Sequence, residues 1–237
     1  MKSFVVIVAA GSGSRMGGSV PKVLLPLAGK PALHWSLEAF AKTRVDGIVL
    51  VASPATRTAA EEAAKECAKP VSVVEGGATR LQSVQNGVAA VPADADLILV
   101  HDAARPCVTP VLIEATIASA LCLGSGVAAR KVVDTVKSAV RTADGVRCEA
   151  TVDRTPLWTV QTPQTFRADL LRRALEEAQP DDPAITDEAS AVERLGMPVH
   201  LVESDAPNPK LTVPSDVPLA ELILADRNRV VSGNKFC

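Results

Sequence analysis

The sequence predicts an α/β fold in which a mostly parallel sheet is covered by helices on both faces and a β-hairpin arm protrudes from it. Three observations lead there. Short runs rich in β-branched residues recur between stretches of helical periodicity. Those runs are apolar throughout rather than alternating, the pattern of strands buried on both faces. One segment, residues 136–152, breaks the rhythm by alternating every second residue about Asp144-Gly145.

In chain order, Phe4–Ala10 reads as the first strand and runs straight into a Gly/Ser-rich loop. Pro31–Thr43 is the first helix, with Leu33, Leu37 and Phe40 on one face. Gly47–Ala52, Val71–Glu75 and Leu97–His101 are further strands, and Leu81–Val91 is a helix presenting Leu81, Val84, Val88 and Val91. Thr109–Leu123 opens with a capping Thr and a Pro in its first turn, a helix start. In the ribbon, Val146, Cys148, Ala150 and Val152 fall on one face and Arg147, Glu149 and Thr151 on the other. Its apolar residues are small, and a lone two-stranded ribbon is marginal, so it is expected to pack against the ribbon of another chain; an ordinary surface hairpin is the alternative. Val199–Val202 reads as a last strand, and a helix near Pro218–Leu224 precedes the end at Cys237. The whole is expected to be one domain, residues 1–237, with the arm inserted at about 134–155.

Composition narrows the function classes. With 237 residues and a formal net charge of -2, the chain has no global attraction for polyanions, so a phosphate ligand has to be held by local cations. A nucleic-acid role is disfavoured further by the absence of Tyr and by only two Trp and four Phe, too few for a base-stacking platform. Five cysteines without a Cys-x-x-Cys pair suit reduced thiols in the cytoplasm better than a disulfide frame or zinc site. Lys2 and the run Val5 to Ala10 imitate a signal peptide only briefly before a loop carrying Arg15, and no stretch approaches the roughly 20 apolar residues of a membrane span.

Two constellations carry chemistry. In residues 9–22, AAGSGSRMGGSVPK, Gly11 and Gly13 let backbone N–H groups come close to a phosphate while Arg15 and Lys22 bring cations to the same mouth. The Walker loop is excluded, since Ser19 and Val20 follow Gly18 where Lys and Ser/Thr are required, and the dinucleotide fingerprint fails after Gly13. The same glycines are also compatible with a simple chain turn and a solvated Arg15. Residues 101–106, HDAARP, place Asp102 and Arg105 beyond a strand, where an acid orients hydroxyls or a metal ion and a guanidinium binds phosphate; a loop cap and a structural ion pair are the plain alternative.

Seven motifs then give a resemblance that spans nearly the whole chain. AAGSGSRM with Pro21-Lys22, GGATRLQSV at 76–84, HDAARP, VDR at 152–154, TPQTF at 162–166, ITDEAS at 185–190 and Pro209-Lys210-Leu211-Thr212 occur in the order seen in 2-C-methyl-D-erythritol 4-phosphate cytidylyltransferases. The chain resembles that family, which implies a Rossmann-like sheet, a homodimer formed through the β-arm, and Mg²⁺. By the same resemblance, Ala9, Ala10, Gly11 and Gly13 line a CTP site, with Arg15 and Lys22 on the triphosphate. Gly77, Arg80 and Ser83 face cytosine and ribose; Asp102, Arg105, Thr135, Thr162 and Thr186 surround the polyol phosphate; Lys210 and Arg154 position its phosphate, Arg154 from across the dimer. Arg15, Lys22, Arg154 and Lys210 are the expected catalytic set, and Mg²⁺ is expected to ride mainly on the CTP phosphates with Asp102 as a possible ligand. Ala78 departs from the polar residue of some relatives, and Pro209 alters the residue before Lys210. The fused cyclodiphosphate synthase domain of some relatives is expected to be absent. A ribitol 5-phosphate cytidylyltransferase, a silent CTP-binding regulator and a nicotinamide dehydrogenase are the competing readings.

Overall fold

The structure is a computed structural model, and it describes residues 1–11, 16–17, 20–179, 182 and 184–233, with side chains described as far as Arg227. Its centre is a seven-stranded sheet built from β1 (Ser3–Ala9), β4 (Gly47–Ala52), β5 (Val71–Glu75), β6 (Leu97–Asp102), β7 (Ser125–Lys131), β10 (Trp158–Arg167) and β11 (Leu201–Glu203), in the spatial order β11-β7-β10-β6-β1-β4-β5. β1 pairs in parallel with β4 and β6, β4 with β5, and β11 with β7; β10 is antiparallel to both β6 and β7. The sheet is mostly parallel, as the apolar strands predict.

Successive side chains of a strand leave on opposite faces, and β1 divides accordingly: Val5 and Ile7 enter one core, Val6 the other. The first core is covered by α1 (Ala32–Ala41), α2 (Arg57–Glu66) and α4 (Pro110–Leu123); the second by α3 (Arg80–Ala89), α5 (Ala168–Glu177) and α6 (Glu188–Arg194). α4 starts as its sequence predicts, with the Thr109 hydroxyl accepting from Leu112 N–H at 3.2 Å and Pro110 in the first turn. It stops at Gly124, whose φ of 86° only glycine adopts without strain. α3 lies so close to the sheet that a Cβ on Gly87 would stand 2.4 Å from a Val6 methyl. A third apolar cluster, with Leu27, Ala104, Cys107 and Leu211, seats α7 (Asp216–Gly233) against the loops at the carboxyl edge; Leu27 belongs to the small ribbon β2 (Pro26–Leu27) and β3 (Lys30–Pro31).

Several expectations are corrected in extent. The last strand is Leu201–Glu203 rather than 199–202, and the last helix runs from Asp216 to Gly233. Five longer elements went unread: α2, whose buried face is only Ala60 and Ala63; α5, which follows β10 without a linker; α6; and the pair β7 and β10. β10 contains Pro163, which ordinarily argues against an interior strand; the ladder tolerates it because the register with β7 shifts between Val160 and Gln164.

The hairpin exists as β8 (Val136–Thr142) and β9 (Gly145–Val152), a separate two-stranded sheet. Its tight loop is Ala143-Asp144, with Gly145 already paired to Thr142. Strict alternation is broken: Ala150 pairs with Ser138 but Cys148 with Ala139, leaving Glu149 as an extra, bulged residue. Every residue of β9 from Gly145 to Thr151 is exposed, Val146 by 66%. The ribbon therefore gains almost no apolar burial within its own chain.

Candidate active site

The strands β1, β5 and β6 run in the same direction, so their carboxyl ends open onto one cavity of about 340 Å³. It is lined by Ala10 and Gly11 after β1, Gly77 to Arg80 after β5, Asp102 at the end of β6 and Ala104 beyond it. Val8, Lys22, Val23, Ser83 and Lys210 complete the wall. Eight of the expected site residues thus meet, although Lys22 and Lys210 are far apart in sequence. Gly13 and Arg15 lie outside the described residues.

Glycine is required where β5 turns into α3. A Cβ on Gly76 would stand 2.4 Å from the Ala10 Cβ, and one on Gly77 would stand 2.3 Å from the Gln82 Cβ. Among the described residues beyond its chain neighbours, no atom lies within 4 Å of a Cβ built on Gly11. The turn is closed by its own helix: Gly77 N–H donates to Ser83 Oγ at 3.1 Å, Ala78 N–H to Gln82 Oε1 at 2.9 Å, and the Ser83 hydroxyl donates to Thr79 O at 2.9 Å. Ser83 is 3% exposed and shapes this turn.

At the floor, charges alternate. Glu188 at the start of α6 accepts both terminal nitrogens of Arg80, at 2.8 and 3.1 Å, in a bidentate pair. Arg80 Nε reaches Asp102 Oδ1 at 3.1 Å, and Lys210 Nζ reaches the other oxygen, Oδ2, at 2.5 Å. Burial by itself would raise the Asp102 carboxyl, but Arg80 and then Lys210 outweigh it and hold the group well below the usual carboxylate range. Burial likewise opposes the charge on Arg80, and Glu188 followed by Asp102 more than reverses this, pushing its guanidinium above the ordinary arginine value. Both therefore stay charged.

Behind Asp102 lies His101, fully buried, with its ring edge-on to Phe40 at 5.0 Å between centroids. Burial pushes its pKa down to about 3, with Asp102 opposing and Arg105 assisting, so the ring is neutral. Thr162 Oγ1 lies 3.0 Å from His101 Nδ1 and accepts from Asp102 N–H at 3.1 Å. Arg105 does not line the cavity; its Nη1 donates to Asn208 O at 2.8 Å, and its buried Nε has no partner among the described residues. Burial lowers its pKa, Asp102 opposing and Arg80 adding to the fall. Asn208 also donates to Thr162 O at 2.9 Å, and Leu211 N–H to Ala104 O at 2.8 Å, so the loop carrying Lys210 is pinned to the loop carrying Asp102.

The remaining expected residues do not reach the cavity within one chain. Ala9 is fully buried in β1, and Thr162 is 4% exposed beneath Asp102. Thr135, Arg154 and Thr186 are exposed; Arg154 donates to Val133 O at the base of the hairpin, and Thr186 N–H donates to Ser190 Oγ at 3.0 Å. Sequence reasoning missed Glu188, His101, Gln164 and Asn208. Three of them stand inside the motifs ITDEAS, HDAARP and TPQTF, and the fourth is two residues before Lys210, so position was the available signal. Gln164 accepts from Ala189 N–H and donates to Asp187, which anchors the start of α6 and hence Glu188.

The donor set bears on a divalent cation. Among the described residues no three His, Cys, Asp or Glu side chains cluster as a metal cage, and Asp102 is the one carboxylate of the cavity lining. Such a set fits Mg²⁺ bound mainly through substrate phosphates, the ion's common mode. No helix among the described residues is long and apolar enough to cross a membrane.

The chain is similar to known proteins over nearly its whole length. A protein of Parasynechococcus marenigrum named 2-C-methyl-D-erythritol 4-phosphate cytidylyltransferase is 41% identical over 229 residues, 95% of this chain and 99% of that protein. A crystal structure described as 4-diphosphocytidyl-2C-methyl-D-erythritol synthase is 39% identical, with a TM-score of 0.77, over 94% of this chain and 98% of the other. The 2-C-methyl-D-erythritol 4-phosphate cytidylyltransferase of Thermus thermophilus superposes with a TM-score of 0.75 at 33% identity, over 94% of this chain and 98% of that one. The family model IspD, 2-C-methyl-D-erythritol 4-phosphate cytidylyltransferase, matches residues 3–226, and this chain, with its Asp102-centred cavity at the carboxyl edge of the sheet, belongs to that family of nucleotidyltransferases.

Proposed function

We propose that the protein transfers CMP from CTP to 2-C-methyl-D-erythritol 4-phosphate, releasing pyrophosphate and forming 4-diphosphocytidyl-2-C-methyl-D-erythritol for isoprenoid precursor synthesis in the cytoplasm. The observation that carries this reading is the convergence of Lys22, Arg80 and Lys210 on one cavity around Asp102. A phosphomonoester is largely dianionic at neutral pH, so the polyol phosphate needs no general base to attack the α-phosphorus of CTP in line. What it needs is charge neutralisation against a triphosphate. Arg80, Lys22, Lys210 and the nearby Arg105 face two carboxylates, Asp102 and Glu188, leaving the cluster cationic. Arg80 is held by Glu188 and Asp102, and Lys210 by the other oxygen of Asp102, so a phosphate entering the cavity competes with Asp102 for Lys210, with Arg15 expected to add charge from the loop beyond Gly11.

Lys22 serves the triphosphate and Lys210 the acceptor phosphate, each stabilising charge as the pentacoordinate phosphorus forms. Gly77 and Ala78 face the cytosine and ribose; the N–H groups of both are engaged by Ser83 and Gln82, so base contact through them requires those side chains to release. Mg²⁺ carried by the CTP phosphates, with Asp102 as the candidate ligand from this chain, would supply further neutralisation and polarise the α-phosphoryl group. Arg154 is exposed and does not line its own chain's cavity, and the bare ribbon beside it offers a surface for a second copy. We therefore assign Arg154 and Thr135 to the partner's site in a homodimer. The test is pyrophosphate release with CTP and, in parallel, methylerythritol 4-phosphate or ribitol 5-phosphate, omitting each component in turn. Release with methylerythritol phosphate and Mg²⁺ supports the reading; CTP binding without release from any polyol phosphate overturns it, and preference for ribitol phosphate reassigns the acceptor.

A further inference from the structure

We propose that His101 is a positioning residue of this site, fixing the direction of the hydrogen bonds that hold Asp102 and so Lys210. The chain of bonds has one possible direction. The Arg105 carbonyl, 3.3 Å from His101 Nε2, can only accept, so Nε2 carries the hydrogen and Nδ1 the lone pair. Thr162 must then donate its hydroxyl hydrogen to Nδ1, at 3.0 Å, which leaves its oxygen to accept from Asp102 N–H at 3.1 Å. The bonds run from Asp102 N–H through Thr162 and His101 to the Arg105 carbonyl, tying the end of β6 to β10 and to the turn that follows β6.

The ring does not line the cavity, yet it sets the backbone from which the Asp102 carboxylate projects. The two cations on that carboxylate depend on it unequally. Arg80 is also held by both oxygens of Glu188, whereas Asp102 is the side-chain partner of Lys210 among the described contacts. Loosening Asp102 therefore displaces Lys210 and spares Arg80. This inference rests on the proposed reading in which Lys210 meets the acceptor phosphate.

The chemistry of the two ring nitrogens allows a paired test. In His101→Asn the side-chain oxygen takes the place of Nδ1 and still accepts from Thr162; in His101→Gln the amide nitrogen takes the place of Nε2 and still donates to Arg105 O. His101→Phe keeps the volume and removes both. Steady-state kinetics on each variant are expected to show a KM for the polyol phosphate raised at least about fivefold in His101→Phe and His101→Gln, a smaller rise in His101→Asn, and a KM for CTP within about twofold throughout. A loss of folded protein lowers kcat but leaves both KM values in place, so the split separates positioning from mere stability. Should His101→Phe fail to fold, the Asn and Gln pair decides alone. Unchanged KM values, or equal changes in Asn and Gln, overturn the inference. If instead the wild-type protein releases no pyrophosphate, it is the proposed reaction that fails.

Discussion

Replacing His101 by Phe separates the titration of the ring from its volume, and the structure sets the size of the effect. The folded ring, fully buried, has its pKa pushed down to about 3, while an unfolded histidine titrates near 6.5. Between those values the unfolded chain binds a proton that the folded chain refuses. The contribution is thus fully present above about pH 6.5 and is lost as pH falls toward about 3. At 1.36 kcal/mol per unit, the loss between pH 7 and pH 5 is about 2 kcal/mol, and the ceiling near pH 3 is about 5 kcal/mol. Phe in the same space costs Thr162 and the Arg105 carbonyl a hydrogen bond each at every pH, which shifts the whole curve without tilting it. Urea unfolding of wild type and His101→Phe at pH 7 and 5 should therefore show their stability difference shrinking by about 2 kcal/mol at the lower pH. Parallel pH curves for the two proteins would refute the placement of a neutral, desolvated ring beneath Asp102.

Lys22→Ala and Lys210→Ala should each lower kcat by on the order of 10²-fold, the usual loss for one preorganised charge at a developing transition state, and near-normal turnover in both would contradict their assignment. Arg154→Ala should raise the KM for the polyol phosphate and spare CTP; mixing Lys22→Ala with Arg154→Ala chains should restore one intact site per heterodimer, and no recovery speaks against a shared site. Glu188→Gln keeps the volume but removes the charge and one of the two oxygens that accept from the partly buried Arg80, so chemical denaturation should report a loss approaching about 3 kcal/mol, and a change below about 0.5 kcal/mol would remove the ion chain from the account. Gly76→Ala forces a Cβ to within 2.4 Å of Ala10, so calorimetry should find it destabilised by about 1–3 kcal/mol, with the KM for CTP raised. A wild-type Tm and KM would mean the turn yields freely.

The parallel half of the fold was legible because β1, β4 and β6 are buried on both faces and their runs are apolar without interruption. The antiparallel half was not. Pro163 disguises β10, and α2 buries two alanines whose periodicity is faint against its charged surface. The hairpin declared itself through Asp144-Gly145, but the bulge at Glu149 is a matter of pairing that no alternation within one strand discloses.

The site divides in the same way. Lys22, Arg80, Asp102 and Lys210 were named from motifs, and the structure brings them together. Their interdependence was hidden, because Glu188, His101 and Asn208 act through contacts between elements up to 108 residues apart, as Arg80 and Glu188 are. Arg154 and Thr135 were expected at the acceptor phosphate, and in one chain they stand outside the cavity lining.

The central claim, that the acceptor's own phosphate attacks the α-phosphorus of CTP among these cations, is tested most directly by the fate of isotopic oxygen. Methylerythritol 4-phosphate carrying ¹⁸O in its non-bridging phosphate positions should yield a diphosphate in which ³¹P NMR finds the isotope shift on both phosphorus atoms, because the new bridging oxygen comes from the acceptor, and the released pyrophosphate should carry none. Label in the pyrophosphate, or a diphosphate whose cytidylyl phosphorus shows no shift, would contradict it.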